Sequence, residues 1–385
     1  MRRIYLDHNA TTPVRPEVLE ALLPFYAGSF GNPSSIHHEG RVAREAVEAA
    51  REQVATFCGC QPAEVVFTSC GSEADNLAIK GVAAAAESAG RHIITTAVEH
   101  PAVLNACLYL ESRGWRITRL PVDGQGLLDP QEVRRALAPD TVLISVMLAN
   151  NETGVLFPVA EVGEIAADAR IPFHCDAVQG AGRVPVTIRG TGAGLLALSG
   201  HKLYGPKGVG ALVVRTGTKL HPLVHGGAQE RNRRGGTENV AAIVGFGSAC
   251  QLAAGELAAE APRLAGLRDL LEGEILRRIP DCVVNGGGAL RLPNTSNISF
   301  AGVRADSLLP ALDLKGFSVS SGSACSSGTL RRSPVLAAMG VDEGRAACSV
   351  RFSLGRDNRR EDVETLLEVL PEVVERLRGG RGEGR

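Results

Sequence analysis

The sequence is poor in aromatic side chains: Phe, Tyr and Trp make up 4% of its 385 residues, with one tryptophan. A core must therefore be built mainly from Leu, Val, Ile and Ala. Net charge is also scarce, with 41 basic against 42 acidic residues and a balance of −1. No global field recruits nucleic acid or an anionic membrane. Nine cysteines are scattered singly apart from Cys58-Gly59-Cys60. The odd count, and the lack of paired CxxC motifs, fit neither a secreted disulfide framework nor a structural metal site. No run approaches the roughly 20 apolar residues of a membrane helix. After Met1-Arg2-Arg3-Ile4-Tyr5-Leu6-Asp7 there is no apolar stretch of the kind that marks a secretory leader. These absences leave the expectation of a reduced, cytoplasmic, enzyme-sized chain.

What is present has a pattern. The length suits two domains, since one core rarely grows past roughly 250–300 residues. Short apolar runs at 64–68, 92–96, 116–120, 142–147, 171–174, 195–198 and 209–214 read as strands. Helical stretches lie between them, such as 41–57, where Val42, Ala46, Ala49, Ala50, Val54 and Phe57 recur at helical spacing. That alternation predicts an α/β fold whose mainly parallel seven-stranded sheet is flanked by helices. After about residue 255 the pattern changes to an amphipathic helix at 259–279, strands near 296–300, 317–320 and 349–353, and a second helix at 361–378. The expected division is a large domain at 16–258 and a smaller α+β domain formed by 1–15 and 259–378. Residues 379–385, a Gly/Arg/Glu run with nothing to bury, read as a disordered tail.

Lysine is the scarce residue that is most suggestive, with five in the chain. One of them, Lys202, follows the apolar run Leu195-Leu196-Ala197-Leu198 and then Ser199-Gly200-His201. A lysine held rigid and partly desolvated just past a buried strand has a lowered pKa and suits Schiff-base chemistry. The bland alternative is a surface lysine after a strand. Pyridoxal phosphate chemistry would need further parts: an acid for the pyridine nitrogen, donors for a phosphate and a flat group against the ring. Asp176, ending Pro172-Phe173-His174-Cys175-Asp176, could be the acid or a helix N-cap. Phe67-Thr68-Ser69-Cys70-Gly71-Ser72-Glu73 ends a strand and opens a helix, so it is either an anion site or an ordinary capped turn. His100 could stack on a ring or cap a helix whose first residue is Pro101. Arg351, a charge inside an alternating strand pattern, requires a carboxylate partner, structural or belonging to a substrate. Cys325 lies in Ser320-Ser321-Gly322-Ser323-Ala324-Cys325-Ser326-Ser327-Gly328, where so few apolar anchors predict an exposed loop and a reachable thiol, or an incidental surface cysteine.

Together these stretches resemble the cysteine desulfurases of the NifS/IscS-like class, pyridoxal phosphate enzymes of fold type I in the class-V aminotransferase group. The likeness runs from Tyr5-Leu6-Asp7-His8-Asn9-Ala10-Thr11-Thr12 to Arg351-Phe352-Ser353-Leu354-Gly355-Arg356. Its most specific blocks are Ser199-Gly200-His201-Lys202 and Ser321-Gly322-Ser323-Ala324-Cys325. Ala149-Asn150-Asn151-Glu152-Thr153-Gly154 and Arg234-Gly235-Gly236-Thr237-Glu238-Asn239 look nearest to the nitrogen-fixation type. The resemblance implies that Lys202 carries the cofactor, Asp176 pairs with its pyridine nitrogen, His100 stacks on its ring and Gln179 bonds its phenolate oxygen. Gly71, Ser72, Ser199 and His201 would hold the phosphate. Thr237 of a neighbouring subunit would complete that cup, which implies a homodimer. Asn151, also a cofactor contact, and Arg351 would bind the substrate carboxylate.

The implied reaction converts L-cysteine to L-alanine, leaving the sulfur on Cys325 as a persulfide. Lys202 would move the α-proton and His100 would exchange protons with the substrate thiol. The Ser/Gly loop at about 318–334 would carry Cys325 inward for attack and outward to deliver sulfur. The recipient would be a protein such as an iron–sulfur scaffold or a sulfur carrier. No intrinsic metal is implied, although Cys325 could transiently ligate an iron–sulfur cluster. Cys58, Cys60 and Cys70 stand outside this set, Cys70 being read as a small filler. The match departs at Leu330-Arg331-Arg332-Ser333-Pro334, where the family commonly has an acidic-proline stretch, and at the short Gly/Arg terminus. A selenocysteine lyase or another β-eliminating pyridoxal phosphate enzyme is the alternative, for which loss of Cys325 would matter little. A non-catalytic relic of the fold should have lost the lysine, the aspartate or the cysteine, and all three are present.

Overall fold

The computed structural model describes residues 2–321 and 333–379. Cys325, Arg331 and Arg332 lie outside the described residues, as does the end of the tail. The central sheet has seven strands in the order β2-β8-β7-β6-β5-β3-β4. They are β2 (Val65–Thr68), β3 (His92–Thr96), β4 (Arg116–Leu120), β5 (Thr141–Met147), β6 (Phe173–Asp176), β7 (Leu195–Ser199) and β8 (Gly210–Val214). Only β8 runs against its neighbours; the other pairings are parallel. β5 and β7 are buried along their whole length. Their apolar runs are continuous because both faces are covered. Successive residues of β7 point to opposite faces: Leu196 and Leu198 join one core, Leu195 and Ala197 the other.

Elements begin and end where local chemistry requires. The 38–58 helix starts before its apolar period does, because the His37 side chain caps it by accepting from the Gly40 N–H. It stops at Gly59, whose φ of 63° is left-handed. β6 starts at Phe173, two residues later than its apolar run suggests, since Pro172 has no N–H for the ladder.

The largest departure from expectation is the Val240–Arg278 helix, 39 residues long where amphipathic spacing predicts a start at 259. Its first half is apolar on nearly every side and carries no helical period. By length and composition it could cross a membrane. In the fold, Ala242, Ile243, Phe246, Ala249 and Cys250 are buried in the first core. Its second half buries Leu264, Leu267, Leu271 and Ile275 in a separate core. The division expected after residue 258 therefore falls inside one continuous helix.

The second core collects β9 (Cys282–Val284), β10 (Thr295–Phe300) and β12 (Ser349–Ser353), paired antiparallel. β1 (Ile4–Tyr5) pairs in parallel with β11 (Phe317–Ser318), so the chain's start belongs to this core through Ile4 and Leu6. The next residues cross to the main sheet: Asp7 bridges to Ser353, and the Thr12 N–H reaches the His201 carbonyl at 3.0 Å. Residues 7–12 thus lie where β7 ends.

Candidate active site

A cavity of about 280 Å³ opens at the carboxyl ends of β5, β6 and β7, where open α/β sheets place ligands. β7 ends at Ser199, and the short turn Gly200–Lys202 brings Lys202 onto the wall. Its Nζ donates to the carbonyls of Asn9 and of Ala10, the latter at 2.9 Å. Burial pushes the amine down to about 8, with the charge of Arg351 the next contribution. Asp176, at the end of β6, is buried on the same wall. Burial raises its pKa, while His100, the Val178 N–H and Lys202 draw it back. No helix starts at Asp176; its Oδ1 accepts from the Val178 N–H at 2.9 Å, closing a turn.

His100 does cap the Pro101–Glu111 helix, its Nδ1 accepting from the Ala102 N–H at 3.1 Å. That bond places the ring proton on Nε2. The capped ring also lines the cavity, and burial holds it below the usual histidine pKa.

The opposite end is built for an anion. The Gly71–Ala86 helix points its amino terminus at the cavity, leaving first-turn N–H groups free. A Cβ on Gly71 would lie 2.8 Å from Val178 Cγ2 and 3.3 Å from Ser199 Cβ, so only glycine fits. The Ser199 hydroxyl is buried without a hydrogen-bond partner among the described residues. Ser72 and His201 share this wall, His201 being pushed down to about 4 chiefly by burial. Cys70 is not a packed filler: it is half-buried, precedes Gly71 and lines the cavity.

Gln179 and Asn151 also line the cavity, and Gln179 Nε2 donates to the Asn9 carbonyl at 3.0 Å. Arg351 does not line it. Its Nη1 donates to the Asn151 carbonyl at 2.9 Å, and its carboxylate partner is Asp7, 2.7 Å from Nη2. Thr237 is exposed and borders a different cleft, with Phe67 and Gly208. Sequence reasoning passed over three buried groups. Asp75 lines the cavity, and its Oδ1 stands 3.5 Å from His174 Nε2. Glu99, beside His100, is pushed up to about 8 by burial. Periodicity holds the missing signal: Asp75 is one helical turn after Gly71, and His174 shares the strand face of Asp176.

The model of the class-V aminotransferase family matches residues 4–366. The chain belongs to that family. A relative from Dictyoglomus turgidum, named cysteine desulfurase IscS, is 52% identical over 377 residues, covering 98% of this chain and 96% of that one. A solved NifS-like protein superposes with a TM-score of 0.91 at 38% identity, covering 97% of this chain and 99% of its own. A structure described as SspA in complex with cysteine gives 0.81 at 38% identity, covering 91% and 98%.

Class-V aminotransferases depend on pyridoxal phosphate, and the cavity fits it. The orphaned Ser199 hydroxyl and the Gly71 helix terminus suit a phosphate. The buried Asp176 suits a pyridinium nitrogen, and the desolvated Lys202 an aldehyde.

Proposed function

We propose that this chain is a cysteine desulfurase that converts L-cysteine to L-alanine and takes the sulfur on Cys325. One observation carries the reading: Lys202, desolvated to a pKa of about 8, shares a single cavity with the buried Asp176 and an anion cradle. The bound cofactor supplies the electron sink that loosens the substrate's α-proton and its Cβ–S bond.

The chain's own residues handle the protons and the orientation. At neutral pH roughly a tenth of Lys202 is unprotonated, against a negligible fraction for an ordinary lysine, so Nζ can take the α-proton. The Asn9 and Ala10 carbonyls hold that nitrogen in place. His100, its Nδ1 committed to the Ala102 N–H, enters as a proton donor at Nε2. Asn151 and Arg351 receive the substrate carboxylate. Cys325 attacks the substrate sulfur as a thiolate and becomes a persulfide, and alanine is released.

The sulfur then passes to a protein acceptor in the cytoplasm, such as an iron–sulfur scaffold or a sulfur carrier. The working form is a homodimer in which Thr237 serves the partner's phosphate cup. Two features favour that arrangement: Thr237 is exposed and away from its own cavity, and Leu19, Leu23, Tyr26 and Phe30 are exposed within one short stretch.

The test measures alanine and sulfide formed from cysteine with a thiol reductant present to release the persulfide sulfur as sulfide, beside Cys325→Ala. Equal amounts of both from the parent protein, with neither from the variant, is the expected result. Alanine formation that survives the substitution would show that another thiol accepts the sulfur, and pyruvate with ammonia and sulfide in place of alanine would show direct elimination; either would sink the Cys325 persulfide route.

A further inference from the structure

Arg351 sits in the middle of β12 and is 2% exposed. A guanidinium at that depth needs an acceptor for each edge. Nη1 has the Asn151 carbonyl and Nη2 has one oxygen of Asp7. Nε is buried with no hydrogen-bond partner among the described residues. The planar fork sets Nε–H and one Nη–H side by side, a spacing that matches the two oxygens of one carboxylate. Asp7 satisfies only part of what this group can bind.

Asp7 itself is fixed through its main chain. Its carbonyl accepts from the Tyr5 hydroxyl and the Ala10 N–H, each at 3.0 Å, and its backbone bridges to Ser353. The side chain is 19% exposed, and Arg351 is its one ion-pair partner among the described residues. The backbone can therefore stay put while the carboxylate turns away. Asp7 also begins the segment whose next residues hold Lys202, and its charge acts on that amine.

We propose that Asp7 is an internal placeholder on Arg351, a carboxylate that the substrate's α-carboxylate must displace and that thereby sets the affinity for anionic amino acids. The proposal rests on the reading of Arg351 as the substrate-carboxylate group. While Asp7 is in place the guanidinium is neutralised, and an entering carboxylate meets a like charge. Displacement gives the substrate the unused Nε together with Nη2.

The experiment titrates the holoenzyme with L-cysteine and with 2-aminoethanethiol, which has the same amine and thiol but no carboxylate. Both titrations follow the cofactor's absorption, in a Cys325→Ser background that stops sulfur transfer. Asp7→Asn keeps an oxygen for Nη2 and removes the charge. It should tighten cysteine about tenfold, equivalent to ~1.4 kcal/mol, and leave 2-aminoethanethiol unchanged. Arg351→Gln should weaken cysteine alone and abolish the effect of Asp7→Asn in the double variant.

An Asp7→Asn protein that weakens both ligands equally would make Asp7 a scaffold residue and overturn the proposal, as would unchanged cysteine affinity. If Arg351→Gln fails to separate the two ligands, the reading of Arg351 falls and takes the proposal with it. Should Asp7→Asn not fold, Asp7→Ser is judged by the same two ligands.

Discussion

Between β9, β10 and β12 the second core buries Asn285, Asn297, Ser299 and Ser349; around the ends of β5, β6 and β7 the chain buries Asp75, Glu99 and Asp176, with His174 alongside. Depth is similar and treatment differs. In the second core, Asn285 Nδ2 donates to Asn297 Oδ1 at 2.7 Å and to Ser299 Oγ at 2.9 Å, while Ser299 and Ser349 share a bond of 2.8 Å. Arg345 Nη2 closes the set on Asn285 Oδ1 at 2.7 Å. The amides and hydroxyls of this set are neutral and partnered, which makes a polar network rigid and specific; Arg345 Nε alone of the set has no hydrogen-bond partner among the described residues. Around the cavity, by contrast, Glu99 Oε2 and Ser199 Oγ have no hydrogen-bond partner among the described residues, and Asp75 Oδ1 and His174 Nε2 have only each other, at 3.5 Å. Burial raises both acids and lowers the imidazole. Buried ionisable groups left unsatisfied beside a cavity mark a place where a ligand or a proton can be exchanged.

The largest effect should come from Lys202. Lys202→Ala should cost at least about 10⁴-fold in turnover and release the cofactor on gel filtration, with the thermal midpoint of the protein nearly unchanged. Turnover within tenfold of the parent would remove Lys202 from the chemistry. Asn285→Ala should do the reverse. It strands Arg345 Nη2 and the Asn297 carbonyl-type oxygen, and should cost about 3 kcal/mol of stability. The folded variant should keep its KM for cysteine. A variant that loses turnover while keeping its stability would erase the contrast between the two regions.

Legibility followed the range of the interactions. β5 and β7 could be read as strands because their apolar runs are continuous and short. Lys202 and Asp176 could be read because each stands at the end of such a run, where the fold opens. The start of the Val240–Arg278 helix could not, since a helix buried on nearly all sides has no period to detect. Asp75 and His174 meet only after a helix and a strand 99 residues apart in the chain have packed. The Asp7–Arg351 pair spans 344 residues. Motif spacing identified both motifs but carried no sign that one would neutralise the other.

The smallest effect sharpens the comparison most, because it reads the cost of a buried acid with no catalysis in the assay. Glu99 Oε1 accepts from the Thr96 hydroxyl at 2.8 Å and the Met147 N–H at 3.0 Å, while Oε2 has no hydrogen-bond partner among the described residues. Burial, the leading cause, raises the carboxyl to about 8 from an ordinary 4.5. Below pH 4.5 the group is protonated folded or unfolded, and it contributes no pH dependence. Between 4.5 and 8 the unfolded chain gives up its proton and the folded one keeps it, so stability falls as pH rises. Above 8 the loss is complete. Glu99→Gln retains an oxygen for Thr96 and Met147 and cannot ionise. Its stability relative to the parent should therefore climb by about 2 kcal/mol between pH 4.5 and 8, measured by urea unfolding across that range. This is less than the whole shift would give, because a real interior relaxes around the charge. A constant difference across the range would mean that Glu99 is ionised in the fold, and the interior beside His100 would then hold one more resident negative charge than the argument above allows.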